Sequence, residues 1–151
     1  MSKIVKRILL AILAVFLIYM VYVAVSFAII ANRIANPPPE EQMLRSSEEE
    51  IRESILEFTA IGMSFEDVEN VINDNEEWKI RHISERGYAV NNGVPGTYTS
   101  YDYRVGEKSI QGWIGGYQSG IFFWTDVLVF WAFDENSELI DIAVRKDMDG
   151  P

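Results

Sequence analysis

Between Ile8 and Ala31 the chain runs 24 residues without a single charged side chain. At about 1.5 Å of rise per residue a helix of this length reaches roughly 36 Å, enough for a hydrocarbon core of about 30 Å. Fifteen of the residues are Ile, Leu, Val or Phe, each favouring insertion by roughly 0.3–0.6 kcal/mol. The run predicts a transmembrane helix over 8–31, with Ile8, Phe16, Tyr22 and Ile30 among its lipid-facing residues. A core helix of a soluble domain is the poorer reading, because residues 34–151 offer too little chain to cover it on all sides. A cleaved signal also fits poorly. Its apolar region spans about 7–15 residues and ends in small residues, whereas this run is longer and Ala24-Val25-Ser26 is only a weak cleavage site.

Lys3, Lys6 and Arg7 precede the run, and Arg33 alone follows it closely. By the positive-inside rule these residues set the topology: residues 1–7 form a cytoplasmic basic N-terminus, and the C-terminal part lies outside. The expected location is the cytoplasmic (inner) membrane, crossed once. With no cysteine in the chain, lipidation at a lipobox and disulfide stapling are both excluded, so the helix itself is expected to be the anchor. Tyr19 and Tyr22 sit mid-run rather than at the rims.

Charge divides the chain. Residues 1–33 hold four basic side chains and no acidic ones; the rest hold the other nine basic and all 23 acidic side chains. Phosphate repels such an ectodomain, which argues against nucleic-acid binding. The same repulsion favours the anchor as the only strong membrane contact. Partners are then expected to be the bilayer, through residues 8–31, and another protein, through the ectodomain.

Asn36-Pro37-Pro38-Pro39 cannot continue a helix, so residues 32–46 read as a proline-rich linker: a stiff spacer followed by a mobile stretch from Glu40 to Arg45. Residues 47–151 form the extracytoplasmic domain. Ser47 with Glu50 makes a capping box ahead of Ile51, Ile55 and Phe58, and Gly62 is placed to stop that helix. Ser64 with Asp67 opens a second helix whose apolar stripe is Phe65, Val68, Val71 and Ile72. Both stripes are expected to be core.

Strands follow. Residues 78–83 alternate, with Trp78, Ile80 and His82 opposite Lys79, Arg81 and Ile83. Residues 109–117 carry glycines at 112, 115 and 116, which mark bulges or close backbone approach. Residues 126–133 are apolar from Val127 onward, as in a central strand covered on both faces or one facing a partner. The turn Asp134-Glu135-Asn136-Ser137 leads into Ile140, Ile142 and Val144, expected to alternate with Asp141, Ala143 and Arg145 across the strand. The fold class is therefore α+β: an N-terminal transmembrane helix, then two short helices packed on an antiparallel meander of three to four strands.

Gly62-Met63-Ser64-Phe65-Glu66-Asp67-Val68, ahead of a meander ending in Phe133-Asp134-Glu135-Asn136-Ser137-Glu138-Leu139, resembles the BamE/SmpA-type domain, related in fold to β-lactamase inhibitor proteins. The resemblance covers about 47–146. It implies a small, non-catalytic envelope domain that binds proteins, although this chain lacks the family's lipobox cysteine.

The residues themselves offer no catalytic signature. His82 is the sole histidine, so a zinc site would need several carboxylates, and no G-x-S-x-G motif accompanies a serine. Glu48-Glu49-Glu50 and Glu76-Glu77 lack calcium-loop spacing. Gly112 to Gly116 lacks the ending of a phosphate loop. No cofactor or metal is expected. Candidate binding residues are aromatic: Tyr98, Tyr101 and Tyr103 after the turn region 91–96, then Trp113, Tyr117 and Trp124, with Phe122 and Phe123 beside the last. Tyr and Trp bury large area at low entropic cost. The expected function is a membrane-anchored, non-catalytic protein-interaction module of the bacterial envelope. An immunity or inhibitor protein neutralising a basic toxin or enzyme is the alternative, and a carboxylate-dependent hydrolase ranks below both.

Overall fold

A computed structural model describes residues 2–91, 94–95, 103–120 and 122–149. The chain divides into two compact units, Met1–Pro37 and Pro38–Pro151. The first is one helix, α1 (Lys3–Ala35), opened by Ser2, whose hydroxyl accepts from the Val5 amide. None of its residues is buried, and it is long and apolar enough to cross a membrane. Ile8, Phe16 and Tyr22 are exposed along it, and Ile30 partly so.

The second unit is α+β. Its first element corrects the expected linker: Pro39–Arg45 forms helix α2, and α1 already extends to Ala35, so only 36–38 are non-helical between them. Proline breaks a helix interior but suits its first turn, where the missing amide hydrogen would find no partner anyway. Pro39 takes that position, Glu40 and Glu41 follow at the positive end, and Arg45 closes the last turn. Leu44 is buried in the domain core.

Helix α3 (Glu48–Leu56) begins with the expected capping box. The Glu50 amide donates to the Ser47 hydroxyl, and the Ser47 amide donates to the Glu50 carboxylate at 2.8 Å. The Ser47 amide, and next the Ser47 hydroxyl, donate to the Glu50 carboxylate and hold it below the usual carboxylate range. Ile51 and Ile55 are buried, but α3 ends well before Gly62. Gly62 has φ +89° in the following loop, where its amide donates to the Leu139 carbonyl. Phe58 therefore leaves the helical stripe: it is 55% exposed, with its ring edge-on to Trp78. Ser64 caps α4 (Phe65–Asp74), which buries Val68 and Ile72, with Phe65 and Val71 packed beside them.

Four antiparallel strands make the main sheet: β1 (Lys79–Ser84), β5 (Lys108–Gln118), β6 (Trp124–Phe133) and β7 (Leu139–Asp149), in the order β1-β5-β6-β7. Between β1 and β5 the chain builds a second, unexpected sheet of β2 (Tyr88–Asn91), β3 (Val94–Pro95) and β4 (Tyr103–Val105), in the order β3-β2-β4. The architecture is thus helices, sheet and small sheet rather than helices on one layer. Val127, Val129, Trp131 and Phe133 of β6 join the core shared with α2, α3 and α4, while Phe130 and Ala132 pack with Tyr88 and Val90 of β2. The apolar run of β6 is covered on both faces by its own chain.

Trp131 anchors the helix side. Fully buried, it donates its indole N–H to the Thr59 hydroxyl at 2.9 Å, and that hydroxyl donates to the Ile55 carbonyl. The β6–β7 pairing corrects one further expectation. A register shift pairs Ala132 with Asp141 but Phe133 with Leu139, so Ile140 is the extra residue. Leu139 occupies the core position and Ile140 is 44% exposed. On β1 a shift between Ile80 and His82 likewise leaves His82 exposed.

Removing the Leu44 side chain separates a packed helix from a mobile linker. In chemical unfolding of the detergent-solubilised full chain, Leu44→Ala is expected to cost about 2–4 kcal/mol, as for a buried leucine. A loss under about 0.5 kcal/mol, the range of surface positions, would place residues 39–45 off the sheet.

Candidate interaction surface

The face of the main sheet turned away from the helices has two halves. One is roofed by the small sheet. There Tyr88 lies 5.7 Å from the Phe130 ring and donates its hydroxyl to the Asp141 carboxylate at 2.7 Å. Burial, and next that hydrogen bond, push the Tyr88 phenol well above the usual tyrosine range. It stays protonated where exposed tyrosines ionise, so the contribution of this contact is present below about pH 10 and fades only as pH climbs through the raised value.

The other half carries the cluster of interest. Asp126 accepts both the Trp113 indole N–H at 2.8 Å and the Trp124 indole N–H at 3.0 Å on one carboxylate oxygen. Across the Trp113 ring lie the Lys79 ammonium at 5.5 Å and the Arg81 guanidinium at 5.8 Å from the centroid, within cation–π range. Leu128 pairs with Trp113 on one side and with Arg145 on the other, and Arg145 forms a two-pronged ion pair with Asp147, the residue opposite Asp126.

Glycine spacing in β5 makes this arrangement possible. Gly116 faces Asp126 across the strands; a Cβ there would come within 2.5 Å of the Trp124 indole nitrogen and 2.8 Å of the Asp126 carboxylate. A register shift between Trp113 and Gly115 keeps Trp113 on the Asp126 face while Ile114 is buried. Gly115, at φ +141°, admits Leu44 of α2 from the helix side, and Gly112 admits the Trp131 ring. Three glycines thus serve three close approaches, which is what their presence in a strand implied.

The candidate aromatics separate accordingly. Trp113 and Trp124 share Asp126. Tyr117 belongs to the helix side, partly buried against the core with the Arg45 guanidinium 4.6 Å and the Lys146 ammonium 5.5 Å from its ring centroid. Tyr103 is 67% exposed on β4, at the edge of the small sheet. Tyr98 and Tyr101 lie outside the described residues. Asp126 was missed, because only the pairing of β5 with β6 brings it between two indoles.

Arg45 also ties α2 to β5: it pairs with the buried Glu41 at 2.9 Å and donates to the Gln118 carbonyl at 3.0 Å. At the opposite end of the sheet, Arg104, Gly106, Glu107, Asp134, Glu135 and Ile140 line an open cleft. The Glu138 and Asn136 amides donating to Asp134 hold its carboxyl below the usual range, as in an ordinary capped turn. No three His, Cys, Asp or Glu side chains come together as a metal-binding group among the described residues. Comparison of the chain with family models, curated proteins and solved structures gives no match.

Asp126→Ala is expected to shift the indole N–H proton resonances of both Trp113 and Trp124 upfield, at a stability cost of about 1–2 kcal/mol. Movement of one resonance alone would break the shared-acceptor geometry.

Proposed function

We propose that this chain is a single-pass, membrane-anchored, non-catalytic protein-interaction module of the bacterial cell envelope, its N-terminus cytoplasmic and residues 38–149 outside. The observation that carries the reading is the cluster of Trp113 and Trp124 around Asp126, bordered by Lys79, Arg81 and Arg145. Tryptophan and arginine are the residues that dominate protein-binding hot spots, where they exclude water from a few strong contacts. The helix Lys3–Ala35 supports the anchor, and Lys3, Lys6 and Arg7 support the orientation. The resemblance to BamE/SmpA-type domains points the same way. A basic toxin is the less suitable partner for this face, whose border is cationic.

Arg81 is exposed beside Trp113, and with no native cysteine Arg81→Cys gives a single attachment point. A membrane-impermeant cross-linker applied to intact spheroplasts is expected to join this position to a second protein, with much less adduct when Asp126→Ala is added. Labelling that requires permeabilised membranes would overturn the orientation. An adduct insensitive to Asp126→Ala would overturn the interaction surface.

A further inference from the structure

The hairpin joining β5 to β6 presents an exposed apolar cluster: Phe122 is 70% exposed, Phe123 44% and Trp124 41%, with Met148 of β7 at 65%. Met148 lies opposite Thr125, next to Trp124 on the same sheet end. Large aromatic side chains gathered at one tip are costly in water and mark a surface that meets something apolar. We infer that this hairpin tip rests in the interfacial layer of the membrane that α1 spans, giving the domain a second lipid contact besides the anchor; the inference rests on the anchor reading.

Connectivity names the occupant. Three residues, 36–38, separate α1 from α2, so Ala35 and Pro39 are at most roughly 14 Å apart whatever arrangement the two units adopt. Helix α2 in turn lies on the part of β5 that leads into this hairpin: Leu44 meets Gly115, and Arg45 reaches the Gln118 carbonyl. Helix α2, the first element after the anchor in the chain, thus contacts the strand that leads into this hairpin.

Both signs of charge border the tip. Arg45 and Lys146 flank Tyr117 just before the tip, and Lys146 also donates to the Ser46 carbonyl. The other end of the sheet, roughly 33 Å away along β5, carries Glu107, Asp134, Glu135 and Glu138 in its turns. Acidic residues stand at this end as well, Asp126 beside Trp124 and Asp149 paired opposite it, so it is the aromatic rings, as in membrane-interface belts, that fit a zwitterionic interface.

The chain's lack of cysteine allows a clean test on the full-length protein in phosphatidylcholine vesicles containing phosphatidylcholine spin-labelled at a shallow and at a deep acyl position. An environment-sensitive fluorophore is attached at Phe122→Cys, at Tyr19→Cys within α1, or at Glu135→Cys in the distant turn. The expected result is blue-shifted, lipid-quenched emission at positions 122 and 19, and water-like, unquenched emission at 135. Emission at 122 that matches 135 while 19 is quenched would overturn the interfacial contact and leave the tip for a protein partner. Absence of quenching at 19 would overturn the anchor reading, and the inference with it.

Discussion

Strand β6 sets the terms for the rest of the domain. From Val127 to Phe133 it offers no polar side chain to water, so a sheet built on it is stable only with apolar cover above and below. Helices α2, α3 and α4 supply one cover, over Val127, Val129, Trp131 and Phe133; Tyr88 and Val90 of β2 supply the other, over Phe130 and Ala132. The small sheet is thus a structural necessity, paid out of the chain between β1 and β5. Because that roof spans only part of the face, it also delimits the half where Trp113, Trp124 and Asp126 gather.

The neighbouring strand solves the complementary problem of bringing bulky groups close to the backbone. Gly112, Gly115 and Gly116 open three places on β5, for Trp131, Leu44 and the Trp124–Asp126 pair. The same short segment therefore fixes the core, seats the first helix of the domain and shapes the candidate interaction surface.

Much of the architecture was legible wherever local chemistry decides it. Ser47 with Glu50 and Ser64 with Asp67 announced two helix starts because the capping bonds close within three residues. The unbroken apolar run of β6 announced a strand with both faces covered or one facing a partner, and β2 decides between the two. What stayed hidden depended on registers that no periodicity displays: one bulge moved Ile140 outward and brought Leu139 in, and the early end of α3 released Phe58. Pro39 read as a breaker because the sequence does not distinguish a proline that ends a helix from one that begins it. The small sheet escaped notice because strands of four, two and three residues are too short to show alternation. For the surface, both tryptophans were among the candidates, whereas Asp126 emerged only once Gly116 and Asp126 stood opposite each other.

Closure of the second face of β6 by the chain's own β2 is tested by the unfolding free energy of Phe130→Ala in the full-length protein. Phe130 is 3% exposed, and the cover on that side is β2. A loss of about 3–4 kcal/mol is expected, the cost of truncating a buried phenylalanine. A loss under about 0.5 kcal/mol, typical of a surface site, would contradict it and return that face of the sheet to solvent or to a partner.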